Sequence, residues 1–243
     1  MPSSATRIFT DPDMYFAEIR NLKIDGVITK RGEFRAESTH IDLHRLFMYR
    51  SDESLPRIMK VAPSGMRAGI VFATDPGEPS MLINGVEIAD GQISRNGLDW
   101  EWYLRSLAPC RWGSVSLMPE DLAAASKPII GRELVPASFA RSLTPPTAAL
   151  SRLRKLHEAA DHLAKIAPDI LAKPEVARAI EEALLEAMIL CLSEGHSGDV
   201  RKCPSASREG HAASRGGPDV HPRWASLYAP AVHDGWRFVY CAA

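Results

Sequence analysis

The chain has no apolar run near the roughly 18 residues of a membrane-spanning helix. Its first 16 residues, Met1 to Phe16, lack the charged start and apolar core of a secretory signal. Only four cysteines occur, Cys110, Cys191, Cys203 and Cys241, and their wide spacing fits reduced thiols rather than a disulfide framework. Net charge is nearly absent: 29 Lys and Arg stand against 30 Asp and Glu. The whole chain therefore has no electrostatic case for binding nucleic acid or a membrane surface. No glycine-rich phosphate loop, G-x-S-x-G elbow or C-x-x-C pair is present. With 45% hydrophobic residues over 243 positions, the expectation is one or two soluble domains with a full core. The location expected by default is cytoplasmic, and neither catalysis, a cofactor nor a metal is expected.

What is present reads first as strands. Asp11 and Pro12 suit the cap and first position of a short helix reaching about Arg20. A period of two follows. Runs at Leu22–Thr29, Phe34–His40, Leu43–Tyr49, Arg57–Val61, Ala68–Phe72, Ser80–Ile83 and Ser114–Leu117 are separated by turn chemistry such as Arg31-Gly32, Asp75-Pro76-Gly77, Asn84-Gly85, Asp90-Gly91 and Asn96-Gly97. Asn-Gly and Asp-Gly suit tight hairpins because both residues accept positive φ. Many short strands at regular spacing point to an antiparallel sandwich or barrel. The stretch from Asn84 to Ile93 resembles the repeated hairpin of a cupin-type barrel.

Candidate site residues lie within this portion. Trp100 and Trp102 fall on one face of a strand, beside Tyr103, Leu104 and Arg105. They form either the aromatic wall of a small-molecule pocket, with Arg105 free for an anionic ligand, or core aromatics beside a surface arginine. The dominance of aromatics in cores favours the second. His40 joins Trp100, Trp102 and Arg105 in the candidate ligand-binding set. His40 and His44 lie four apart with no third ligand at a telling spacing, and a metal site needs three or four convergent ligands. That argues against a cupin-like metalloenzyme and leaves them as polar histidines at a surface or rim.

Residues 131–147 read as a linker. From Ala148 the apolar period is helical, through Leu150, Leu153, Leu156, Ala160, Leu163 and Ala164, until Pro168 stops it. Met118–Leu122 opens a shorter helix, with Pro119 and two acids in its first turn. Another helix starts near Pro174, with Val176, Ala177, Ile180, Leu184, Ala187, Met188 and Cys191 on one stripe. The resulting hairpin over 148–194 needs a partner for its stripes: the sheet portion, its own two helices, or a second chain. His157 and His162 are five apart, off the spacing of a helical metal site, and read as solvent-facing. Cys191 reads as a buried small hydrophobe.

Several segments resemble the sensor half of an AraC-type transcriptional regulator over residues 8–194. They are Gly32-Glu33-Phe34-Arg35-Ala36, Ile41-Asp42-Leu43-His44-Arg45-Leu46, Leu55-Pro56-Arg57, Arg111-Trp112-Gly113-Ser114, Leu153-Arg154-Lys155-Leu156-His157 and Pro174-Glu175-Val176-Ala177-Arg178. The resemblance implies an α+β fold: a cupin-like ligand-sensing barrel or sandwich over 1–130, then helices that contribute to dimerisation through Leu150, Leu153, Leu156 and Leu163. It implies an unknown small-molecule effector and a homodimer, or a mixed dimer with an intact relative. It also implies two C-terminal helix-turn-helix units that bind DNA. The alternative is a stand-alone small-molecule binding protein.

The tail, 195–243, departs from that pattern. It shows no sustained helical or strand period and is too short for the DNA-binding half, so the sequence reads as the sensing portion cut short. Its His196, His211, His221, His233, Cys203 and Cys241 match no zinc-module spacing. One permitted codon choice for Pro230–Tyr240, read one base later, encodes a Leu-Cys helix and a Val-Gly-Val-Ser turn like the family's first helix-turn-helix. The expectation is a reading frame lost near residue 195 and a tail whose apolar residues cannot offset the entropy of ordering it.

Overall fold

Alternating buried and exposed positions build two antiparallel sheets beneath a layer of helices. The computed structural model describes residues 1–19, 22–63, 65–77, 81–96, 101–137 and 141–197. Trp100, Gly97 and the tail from residue 198, with its expected loss of frame, lie outside the described residues.

In chain order the elements are β1 (Ser3–Phe9), α1 (Pro12–Glu18), β2 (Leu22–Ile28), β3 (Ala36–Asp42), β4 (Phe47–Glu53), β5 (Arg57–Pro63), β6 (Ala68–Ala73), β7 (Met81–Ile83), β8 (Val86–Ile88), β9 (Ile93–Asn96), β10 (Trp102–Ser106) and β11 (Cys110–Leu117). Then follow α2 (Pro119–Ile130), β12 (Arg141–Thr144), α3 (Thr147–Ile166), α4 (Pro168–Leu171), α5 (Pro174–Glu194) and β13 (His196–Ser197). The larger sheet runs β1-β3-β4-β11-β6-β9-β12-β13 and the smaller β2-β5-β10-β7-β8. No ladder joins them among the described residues, so the barrel allowed by the sequence is corrected to an open sandwich. The reason lies in pairing: β5 is filled on both sides by β2 and β10, while β3 and β4 pair within the larger sheet.

Local chemistry explains the connections. Asp11 caps α1, its Oδ1 accepting from the backbone amides of Asp13 and Met14 at 2.8 and 3.2 Å. Asn84 and Gly85 both take positive φ, 51° and 79°, and close the β7–β8 hairpin as the sequence predicts. The short helix expected after Met118 runs on to Ile130 and stops at Gly131 in the left-handed region.

The larger sheet separates two cores. Its outer face, with Ile41, Met48, Ile70, Phe72 and Val115, packs under α2, α3 and α5. Its inner face packs on the smaller sheet through Phe47, Tyr49, Trp112, Met59 and Trp102. The helical stripes thus find their partner inside the chain. Leu150 and Leu153 are buried against the larger sheet, and Leu156 and Leu163 pack partly buried beside them. Cys191 is buried on the stripe where the helical period puts it.

His157 is the clearest correction. It is 0% exposed rather than solvent-facing. Its Nε2 lies 3.1 Å from the carbonyl oxygen of Tyr49, and its ring meets Phe72 edge-on at 5.1 Å. Gly113 makes room for it: a Cβ there would stand 2.6 Å from Cε1 and 2.8 Å from Nε2 of the imidazole.

Candidate functional site

Between the sheets lies a cavity of about 90 Å³. Alternation on β4, β5, β10 and β11 supplies its walls. Phe47, Tyr49 and Trp112 come from the larger sheet, and Met59, Val61 and Trp102 from the smaller. Ile19, just past α1, and Leu22 at the head of β2 close one side. The lining is mainly apolar. Its polar members include Arg67, Ser114, Ser116 and the phenol of Tyr49.

Arg67 is half-buried in the connection leading into β6. Its Nε donates to Ser116 Oγ at 3.3 Å, and its Nη2 donates to the carbonyls of Arg45 and Ser116, both at 2.9 Å. Burial weakens the guanidinium's hold on its proton, while Asp42 and Asp121 act the other way from a distance. The same turn is tied to the helices. Glu181 on α5, 1% exposed, accepts from the backbone amides of Arg45 and of Leu46, the latter at 2.9 Å. A short chain of contacts therefore links the cavity lining to α5 through Arg45.

A charged cluster is buried on the inner face beside the cavity wall. Glu53 and Arg57 form an ion pair at 2.8 Å with both side chains 0% exposed. Glu53 Oε1 accepts from Tyr15 Oη and Trp112 Nε1, each at 2.5 Å. Arg57 Nη1 donates to Ser106 Oγ and Cys110 Sγ, and the guanidinium lies 5.9 Å from the Trp112 ring centre. Burial pushes the Glu53 carboxyl up from its ordinary range, opposed by Arg57 and the two donors. Two donors on Oε1 and a guanidinium on Oε2 suit the ionised carboxylate. Burial also pushes the Cys110 thiol up to about 11, which makes it a poor nucleophile. The cluster fixes the rotamer of Trp112, which forms part of the cavity wall.

On the opposite face of the larger sheet, against α3, lies a polar cleft of about 280 Å³. Its charges mostly neutralise one another. Lys165 pairs with Glu37 at 2.6 Å and Asp161 at 3.0 Å, and Arg50 lies 3.6 Å from Asp161 and 3.9 Å from Asp75. The hydrogen bond from Lys165 holds Glu37 below its ordinary range. This cleft ties α3 to the sheet. Among the described residues no cluster of three or more His, Cys, Asp or Glu is placed to hold a metal.

The sequence-derived candidates separate in the structure. Trp102 lines the cavity. Arg105 does not, because on β10 residues 102, 104 and 106 are buried on one face while 103 and 105 point to the other. His40 is 3% exposed, not at a surface or rim. It stacks on Phe47, with Nδ1 3.7 Å from Glu18 Oε1, outside the cavity lining. His44 is exposed. Arg67, Glu53 and Arg57 escaped the sequence reading. Arg57 stood in a resemblance segment, but nothing local marks it as buried.

The fold and cavity together define an α+β protein with an open antiparallel sandwich, an inter-sheet cavity and a covering helical layer. No protein-family model matches the chain, and no curated protein does. Among solved structures, that of the AraC-like transcriptional activator CuxR matches with a TM-score of 0.56 at 12% identity, over 82% of this chain and 73% of that one. At this identity the likeness shows a shared fold. No described helix is long and apolar enough to cross a membrane.

Proposed function

We propose that this chain is the sensing portion of an AraC-type regulator: a small molecule enters the cavity between the sheets, and its occupancy controls transcription. The observation carrying this reading is an apolar cavity, walled by Trp102 and Trp112, inside a sandwich whose fold is shared with an AraC-like transcriptional activator. The resemblance segments support it physically. Gly113 and His157 come from two of them and interlock across the sheet–helix boundary, while Trp112 lines the cavity. The reading gives the cavity binding rather than catalysis, and places action in the cytoplasm. Contact with DNA belongs to helix-turn-helix units of the kind the family carries. Self-association, where it occurs, uses surfaces other than Leu150 and Leu153, which are consumed by the chain's own core.

The test is genetic. Val71 faces the cavity, and Val71→Phe fills it. Deletion of the gene in its host, complemented with wild type or Val71→Phe, is followed by transcript profiling and by protein level. The expected result is a defined set of transcripts restored by wild type and not by an equally abundant Val71→Phe protein. Identical restoration by both removes the cavity from the function, and an unchanged profile on deletion removes the regulatory role.

A further inference from the structure

We propose that the inter-sheet cavity takes a small organic anion with an apolar body, its anionic group held by Arg67. This rests on the sensing role proposed above and names the chemistry of what is sensed. The apolar body follows from the walls, where Phe47, Val61, Val71 and Leu104 carry no polar side-chain atom. The anion follows from Arg67.

Arg45, Arg50, Arg57, Arg111, Arg152 and Arg154 each have a carboxylate within ion-pair distance. Arg67 has none among the described residues. Among the described residues its hydrogen bonds go to neutral acceptors, one hydroxyl and two carbonyls. Nε and Nη2 are occupied, and Nη1 keeps both donors without a protein acceptor among the described residues. A half-buried guanidinium that lines an apolar cavity, with Asp42 and Asp121 acting only from beyond ion-pair distance, has lost hydration that a ligand carboxylate would replace through charge-assisted bonds. The three existing bonds hold the guanidinium in place, so little ordering is left for the ligand to impose. Ser114 and Ser116 add hydroxyls beside it.

Size narrows the class. The cavity, about 90 Å³, is smaller than the ~150 Å³ engineered cavity that holds benzene. The apolar body is therefore on the order of four carbons.

The test is calorimetric titration of the full chain with straight-chain carboxylates from butanoate to octanoate and with the matching primary amides, which keep the shape and lose the charge. Wild type, Arg67→Gln, Arg67→Lys and Val71→Phe are compared. The expected result is a carboxylate at least about tenfold tighter than its amide in wild type. Arg67→Gln abolishes that preference and leaves amide binding unchanged, which shows the cavity intact. Arg67→Lys keeps part of the preference, and Val71→Phe loses both ligands. Equal binding of acid and amide by wild type, or a preference that survives in Arg67→Gln, overturns the anion and leaves the cavity as a ligand site. Absence of binding by either series overturns the anion with the cavity reading.

Discussion

Acid should destabilise this protein through His157. The imidazole is wholly buried between the larger sheet and α3. Its pKa is pushed down to about 3, first by desolvation and then by the positive charge of Arg50. The bond to the Tyr49 carbonyl and the charge of Asp161 oppose this and do not cancel it. In the unfolded chain the same group titrates near 6.5. Above that pH the ring is neutral in both states and contributes no pH dependence. Below it, the unfolded chain takes up a proton that the folded chain refuses, so stability falls as pH falls, down to about 3. The slope is about 1.4 kcal/mol per pH unit, so lowering the pH from about 7 to about 5 removes about 2 kcal/mol. That is a sizeable part of the 5–15 kcal/mol typical of a folded domain. The comparison variant is His157→Gln, whose amide can donate to the Tyr49 carbonyl and does not titrate. Urea unfolding of both proteins between about pH 7.5 and 4.5 gives the difference in stability at each pH. The expected curve is flat above about pH 7 and moves against wild type below 6.5 with the stated slope. Parallel curves across the whole range would refute the buried, neutral imidazole.

Three further outcomes follow from the same packing. Gly113→Ala places a methyl against His157 and Phe72 and should lower stability by about 1–3 kcal/mol in urea unfolding; an unchanged midpoint would show that the layers are looser than the distances imply. Glu181→Ala strips the acceptor from two backbone amides and should cost about 1–3 kcal/mol, with faster hydrogen exchange at Arg45 and Leu46; unchanged exchange there would break the link between α5 and the β3–β4 turn. Arg57→Met strands the Glu53 carboxylate and should cost about 3–5 kcal/mol, while adding Glu53→Gln should recover much of the loss. Additive losses in that double-mutant cycle would show that the two charges are not coupled.

Much of the fold was legible because the chain obeys simple periods. Strands β2, β3, β5, β6 and β7 fall on period-two runs, β4 starts four residues later than the run expected from Leu43, and α3 and α5 start within a residue of where the pattern placed them. Strand β1 escaped because an edge strand is mostly exposed, and Ser3–Phe9 carries no apolar alternation. β12 escaped because its four residues sit inside a stretch that reads as linker. His157 was misplaced for a plain reason: the buried line on α3 runs Leu150, Leu153, His157, Ala160, Ala164, and counting only apolar residues shifts it to Leu156. The site was partly legible. Trp102 was singled out and does line the cavity. Arg105 attracted attention by adjacency in sequence, yet strand alternation places it across the sheet from Trp102, a signal the sequence itself contained. Arg67 carried no local mark. Its role comes from β6 and β11 being neighbours, a long-range pairing that no short window contains.

The central claim, that the inter-sheet cavity is a ligand site, is tested most directly by native mass spectrometry of the full chain purified from its own host, as wild type and as Val71→Phe. The account predicts a small-molecule mass increment on wild type that denaturation releases and that the folded Val71→Phe protein lacks. The same increment on both proteins, or none on wild type, would contradict it.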